Sequence, residues 1–263
     1  MKLTNMYVNG EARLGILTER GVIDTAAVNV QGLPTTMMEA VRMGREKALP
    51  LLSAAVDKAD TYLDEGEISY APAVDAPEKI LCAGVNYRAH IEETEGSFTP
   101  AVSPTIFAKF RNTLAPHKGV VIRNRNSTKH DYEAEIAVVI GRRAAYITPA
   151  EAEDYIFGYT LANDVSARDL QKATTQWIPG KSCDTFCPLG PCVVTADELK
   201  YNRMHLTGYK NGELRQEGHS TDMIHDIPTL VSFLSGCLTL EPGDVITVRE
   251  DTIGELTATI QDA

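Results

Sequence analysis

Two glutamates two residues apart, in the run KHDYEAEIAVVIG at 129–141, have the spacing and residue type to do chemistry. The run reads as a strand, on which residues two apart point to the same side. Glu133 and Glu135 then share one face, and Ala134, Ile136 and Val138 share the other. Like charges side by side are costly unless something positive sits between them. A hard divalent cation removes that cost. Asp164, at the end of the apolar-rich YIFGYTLAND, can supply a third oxygen. The trio therefore reads as a Mg²⁺ or Mn²⁺ site, and the chain as an enzyme. Placed on an edge strand facing water, the same carboxylates would be ordinary surface charge.

Four further features point at this trio. His90 and Glu93 lie three apart, so on a helical turn they share a face and can hydrogen-bond. A carboxylate beside a histidine fixes its tautomer and raises its basicity, which suits a water-activating pair. The competing reading is a plain surface helix in a Glu-rich run. Lys109 sits in an otherwise apolar strand, IFAKF, and must either snorkel to water or meet an anion. Lys181 follows Gly180 in a turn-rich loop, where an ammonium can stabilise an enolate or a developing oxyanion. Arg168 and Gln171 follow Asp164 at four and seven residues, placed to hold a substrate carboxylate if the segment is helical. Arg168 could equally be an ion-pair partner of Asp169 or Glu133.

The elements that must position these residues are legible in outline. MYV, Asn9-Gly10 and RLGIL fit a hairpin. Thr36 with Glu39 is a capping box opening a helix, and a second helix covers about 47–58. SYAPAVDAPEK at 69–79 reads as a linker, which divides the chain into a small N-terminal α/β lobe at 1–72 and a catalytic domain at 73–263. Strands are expected at 79–85, 104–110 and along the metal run, with a short helix or mobile segment at 86–95. Thr148-Pro149-Ala150-Glu151 and Thr195 to Glu198 both carry the helix-start pattern. YKNGEL is a hairpin turn, a helix spans about 226–235, and LEPGDVITV is a late strand. The pattern is mixed and β-rich, without a regular βαβ rhythm.

Bulk properties narrow the function classes. A net charge of -11 over 263 residues favours neither nucleic acid nor an anionic membrane as partner. The chain shows no apolar run of signal-peptide or membrane-span length, so the cytoplasm is the expected location. Five cysteines suggest no disulfide framework. Cys183, Cys187 and Cys192 lack the paired spacing of a zinc site and read as thiols in or near the core.

GVNYRAHIEE, SPTIFAKFRNTL, DYEAEIAVVIG, GYTLANDVSARDLQ, QWIPGKSCDTFCPLGP, YKNGE and TLEPGDVI, in this order, closely resemble the fumarylacetoacetate hydrolase family over about 80–248. The resemblance implies a partly rolled, barrel-like β fold with short flanking helices, and homodimers. It implies Glu133, Glu135 and Asp164 as Mg²⁺ or Mn²⁺ ligands, and His90 and Glu93 as the water-activating pair on a lid. It also implies Lys109 and Lys181 as pocket lysines, with Tyr87, Arg168 and Gln171 near the substrate, a small 2-oxo or 2,4-dioxo acid. One departure stands out: after Val245-Ile246 the family's TGTP loop and following strand are missing, and Thr247 or Arg249 could partly fill the gap.

The resulting expectation is a metal-dependent hydrolase that cleaves a carbon–carbon bond of an acylpyruvate or related diketo acid through a stabilised enolate. The alternatives share that enolate: a 2-oxo diacid decarboxylase or tautomerase acting on an oxaloacetate-like substrate, or a dienoate hydratase or isomerase. A binding protein that keeps its ion site is the non-enzymatic alternative.

Overall fold

The computed structural model describes residues 1–87, 103–248 and 255–263. The chain begins with β1 (Lys2–Val8), β2 (Glu11–Thr18) and β3 (Gly21–Asp24), then α1 (Met37–Met43), α2 (Arg45–Lys58) and a short β4 (Ser69–Tyr70). Next come β5 (Ile80–Gly84), β6 (Thr105–Lys109), β7 (Leu114–Ala115), β8 (Gly119–Arg123), β9 (His130–Asp131) and β10 (Ala134–Ile140). The one-turn helix α3 (Ala152–Tyr155) leads into β11 (Ile156–Asn163) and β12 (Ser166–Ala167). Two more single turns follow, α4 (Arg168–Gln171) and α5 (Ile178–Lys181), and then β13 (Cys187–Thr195). The chain continues through the hairpin β14 (His205–Lys210) and β15 (Glu213–His219), α6 (Ile227–Cys237), β16 (Val245–Val248) and β17 (Ala258–Asp262).

Eleven of these strands form one mixed sheet, ordered β3-β2-β1-β13-β11-β10-β16-β5-β6, with β4 on β1 and β7 on β13. The order is open: β3 and β6 stand at its two ends and do not pair with each other. The barrel-like closure expected from the family likeness is thus not seen among the described residues. Instead the fold is α+β, a large sheet with short helices. β1 pairs with β13, Lys2 opposite Val194, so strands on either side of the expected boundary at residue 72 share this sheet.

Side-chain alternation on β10 shows why the sheet sits in the middle. Ile136, Val138 and Ile140 join one core with Ile227, Leu230 and Leu234 of α6. Ala137 and Val139 join another with Met37, Val41, Ala48 and Leu52 of α1 and α2. All five of these β10 side chains are fully buried. Burial of each large aliphatic is worth about 1.5–3 kcal/mol. Together they exceed the several kcal/mol that desolvating one carboxylate costs. The strand can therefore carry a buried glutamate.

Most sequence-level expectations for local structure hold. Val8 faces Glu11 across the Asn9-Gly10 turn, and Lys210 faces Glu213 across Asn211-Gly212. The Thr36–Glu39 and Thr148–Glu151 capping boxes are both formed. The Thr195–Glu198 pattern starts no helix. The N-terminal ammonium of Met1 donates to Thr195 Oγ1 at 2.6 Å and pairs with Glu198 at 2.8 Å. Both capping side chains are thereby engaged elsewhere.

Candidate metal centre

Strand register builds the acidic trio. In the antiparallel β10–β11 pair, Ala134 lies opposite Asn163 and Glu135 opposite Ala162. The ladder continues one step further, with the Asp164 N–H donating to the Glu133 carbonyl at 2.8 Å. Glu133 and Asp164 therefore leave the ends of neighbouring strands at the same level, and Glu135 follows two residues along on the Glu133 side. Their carboxylate oxygens lie within 4.8 Å of one another. Asp164 is 1% exposed and Glu135 8%.

Three cations surround the trio, each held differently. Lys181 Nζ donates to Glu133 Oε2 at 2.5 Å and to Asp164 Oδ2 at 2.6 Å. Arg168 donates to Glu133 Oε1 and Asp131 Oδ2, each at 2.8 Å, and to Gln171 Oε1 at 3.0 Å. Lys109 Nζ donates to the carbonyls of Val165, Lys181 and Phe186, at 3.1, 2.5 and 2.8 Å. It also meets Asp164 Oδ1 at 2.6 Å, off the hydrogen-bond direction. Asp169 takes no part and accepts from Ser127 and Thr128 instead.

Glycine at 180 makes this arrangement possible. A Cβ there would stand 2.4 Å from the Gln171 backbone nitrogen and 2.6 Å from the Ala167 carbonyl. Only without it can α5 close on α4 and bring Lys181 onto the acids.

Glu135 differs from its neighbours. Its Oε2 is buried without a hydrogen-bond partner. Burial first, then the charges of Asp164 and Glu133, push its carboxyl up to about 8. Burial also opposes ionisation of Glu133, but Lys181 and Arg168 outweigh it and hold that carboxyl well below the usual range. Thr247, fully buried on β16, places its hydroxyl beside Glu135. Arg249 lies outside the described residues.

This donor set fits a hard divalent cation: all-oxygen, anionic, converging, and with one buried oxygen left unpartnered. The sign of the pH response follows. Between the ordinary glutamate value of 4.5 and about 8, folded Glu135 keeps a proton that the unfolded chain has released. Stability of the metal-free protein therefore falls as pH rises through that window. A cation must displace the same proton, so affinity for Mn²⁺ should rise from about pH 6 to about pH 8, by up to about tenfold per unit for one proton released. Calorimetric titrations at the two pH values test this; a flat affinity would remove Glu135 from the ligand set.

The acids, Arg168, Gln171 and Lys181 line a cavity of about 370 Å³. Ala83, Gly84, Asn86, Tyr87, Phe107 and Trp177 line it as well. Lys109 is not among the lining residues; it lies behind Asp164, fully buried. A larger cavity of about 970 Å³ lies beyond Glu135, lined by Leu161, Val165, Leu206 and Leu256 among others. His90 and Glu93 lie outside the described residues. Of the aromatics lining the smaller cavity, sequence reasoning named Tyr87 and missed Phe107 and Trp177. Phe107 was visible as the residue alternating with Lys109, whereas Trp177 has no local signal beyond its place in QWIPGK. Phe107 and Trp177 pack at 5.3 Å between ring centroids.

That packing gives a direct test. A Cβ at Gly84 would meet the Trp177 ring at 2.6 Å. Trp177 is the chain's single tryptophan. Gly84→Ala should therefore shift intrinsic fluorescence, weaken substrate binding and leave metal affinity alone. An unchanged emission spectrum would show that the ring does not bear on Gly84.

An all-oxygen acidic centre at strand ends, ringed by lysine and arginine in a small cavity, is the arrangement of a metal-associated enzyme. The chain belongs to the fumarylacetoacetate hydrolase family, whose C-terminal domain model matches residues 79–248. It is 36% identical over 229 residues to a mitochondrial oxaloacetate tautomerase from Bos taurus, covering 86% of this chain and 72% of the relative. It is 41% identical over 179 residues to the oxaloacetate tautomerase YisK of Bacillus subtilis, covering 67% and 60%. Among solved structures, a fumarylacetoacetate hydrolase from Exiguobacterium antarcticum superposes with a TM-score of 0.80 at 32% identity, covering 94% of this chain and 86% of that one.

Among the described residues, no helix is long and apolar enough to cross a membrane. The cysteines are all free, and no metal-ligating group other than the acidic trio is found among the described residues.

Proposed function

We propose that the protein is a Mg²⁺- or Mn²⁺-dependent tautomerase of a small 2-oxo diacid such as oxaloacetate. The observation that carries this reading is the shared cavity: three converging carboxylates for a cation, with Arg168, Gln171 and Lys181 on the same wall for a substrate anion. The bound cation would polarise the 2-oxo group and stabilise its enolate. Arg168 and Gln171 orient the distal carboxylate, and Lys181 offsets charge gathering on the enolate oxygen. Tyr87, Phe107 and Trp177 shape the remaining wall and exclude water. Tautomerisation breaks one C–H bond at C3 and forms one O–H bond at the C2 oxygen, with no net water consumed. The assignment of His90 and Glu93 to proton transfer rests on the family likeness alone.

Tautomerisation takes precedence over hydrolysis, the first expectation from sequence, because the similar relatives named for an activity on oxaloacetate are tautomerases. Hydrolysis of a diketo acid keeps support from the fumarylacetoacetate hydrolase of similar structure. The two are separable. Enol-oxaloacetate mixed with protein and Mn²⁺ should lose its ultraviolet absorbance faster than the metal-only control, with no change in mass. Release of CO₂ would make the protein a decarboxylase. Two organic fragments from a 2,4-dioxo acid would make it a hydrolase, and a gain of water a hydratase.

The proposal extends to a homodimer. Among the described residues β8 and β17 pair only with each other, as a parallel ribbon with Val120 and Ile122 exposed on one face. Two-stranded pairs are marginal alone and parallel ones are normally covered. A second copy over this ribbon would supply the cover. Light scattering after size exclusion should give twice the chain mass; a monomer would refute this arrangement.

A further inference from the structure

We propose that Lys181 is a resident cation of the metal site, and that a divalent ion binding to Glu133, Glu135 and Asp164 ejects its ammonium into the cavity beside Phe107. This rests on the reading of the trio as a divalent site. It adds an exchange between an internal cation and an external one.

The geometry points to exchange. Lys181 Nζ bridges two of the three acids, at 2.5 and 2.6 Å, which is the place a shared cation takes. A divalent ion gripping the same two carboxylates would stand within a few ångström of that ammonium. The two positive charges would then compete for the same oxygens in a buried setting, where their repulsion is strong.

Which lysine yields is decided by what else holds each one. Lys109 has three carbonyl acceptors in addition to Asp164, so all of its donors are engaged without the acids of the cavity. Among the described residues, Lys181 Nζ has only the two carboxylates and the face of Phe107, 4.9 Å from the ring centroid. Its backbone is fixed, with the N–H donating to the Trp177 carbonyl at 3.0 Å and Gly180 wedged against Gln171. Displacement is therefore confined to the flexible four-carbon stem, and the cavity it shares with Phe107 and Trp177 provides the room.

The exchange has two consequences. The metal-free protein is spared the repulsion of bare carboxylates. The lysine becomes available to a substrate anion only once the metal is loaded, which orders binding as metal first.

The test is calorimetric titration of Mn²⁺ and Mg²⁺ into the wild type and Lys181→Met, with thermal melts at zero and saturating metal. Removing the competitor should tighten metal binding by about tenfold or more, the factor expected when the lysine vacates the site about a tenth of the time. The variant should melt lower than wild type without metal and recover on saturation. A lysine serving structure alone would lower both melts equally, and one serving only chemistry would move neither. In the wild type, ¹⁵N-lysine spectra should show the Lys181 ammonium shifting with Mg²⁺ while Lys109 stays, a measurement independent of any variant's folding. Unchanged or weaker metal affinity in folded Lys181→Met, or a stationary Lys181 signal under saturating Mg²⁺, would overturn the exchange. If the wild type takes up neither ion, it is the metal reading that fails.

Discussion

Glu135→Gln will abolish divalent-metal binding and turnover together while leaving the metal-free protein at least as stable as the wild type. The two effects have opposite signs because one carboxylate is useful only when a cation is present. Without metal, Glu135 is a buried acid with an unpartnered oxygen, pushed up to about 8 by burial and by Asp164 and Glu133. Glutamine keeps its shape and needs no proton taken up on folding, so the stability that Glu135 costs near neutral pH is regained, a gain on the order of 1 kcal/mol or more. With metal, the same change takes one anionic oxygen from a three-carboxylate site. Loss of a mere supporting partner in a metal site costs about 10–100-fold in affinity, so loss of a ligand should exceed roughly a hundredfold. Calorimetry for Mn²⁺ and a melt in chelator check both halves. Unaltered ion affinity in a folded variant would sink the assignment of the trio.

The metal centre was readable in the sequence because its geometry is local. Period-two alternation places Glu133 and Glu135 together, and Asp164 closes the neighbouring apolar strand, so only one antiparallel pairing was needed to complete the set. The surrounding cations were readable as types but not as partners. IFAKF announces that Lys109 needs an anion or water. It does not announce that three carbonyls, one just before β12, one at the end of α5 and one just before β13, converge on it, because those contacts span 56 to 77 residues. Asp131 as the second partner of Arg168 was missed for the same reason.

Long-range pairing also explains where the fold departs from expectation. Local patterns gave the hairpins and caps. The open sheet, however, depends on β16 running parallel to β5, with Val245 opposite Ile80, across 165 residues. Nothing in either segment fixes that pairing, nor the distance between the sheet's two ends. The failed helix start at Thr195 is a smaller case: its hydroxyl goes to Met1, 194 residues away.

The largest stability effect is expected at Lys109, which lines neither of the two cavities described above. Lys109→Met removes a fully buried ammonium, its donors to the Val165, Lys181 and Phe186 carbonyls, of which Phe186 keeps the Val165 N–H, and the positive charge beside Asp164 Oδ1. Methionine fills the space but cannot donate. Breaking one side of a buried ion pair costs about 3–5 kcal/mol, and orphaned carbonyls add to it. For a chain of this size each kcal/mol lowers the melting temperature by about 2–4 °C, so the drop should be roughly 10 °C or more. The contrast with Lys181 is what makes the experiment informative. Both lysines touch Asp164, but Lys109 ties the segments at 165, 181 and 186 to β6, whereas Lys181 faces the cavity. Metal should rescue the melt of Lys181→Met and not that of Lys109→Met, because a cation in the trio can replace charge on the acids but cannot donate to carbonyls. Differential scanning calorimetry with and without Mn²⁺ decides it. Full rescue of Lys109→Met by metal would mean that its ion pair with Asp164, not the carbonyl cradle, holds that corner of the fold together.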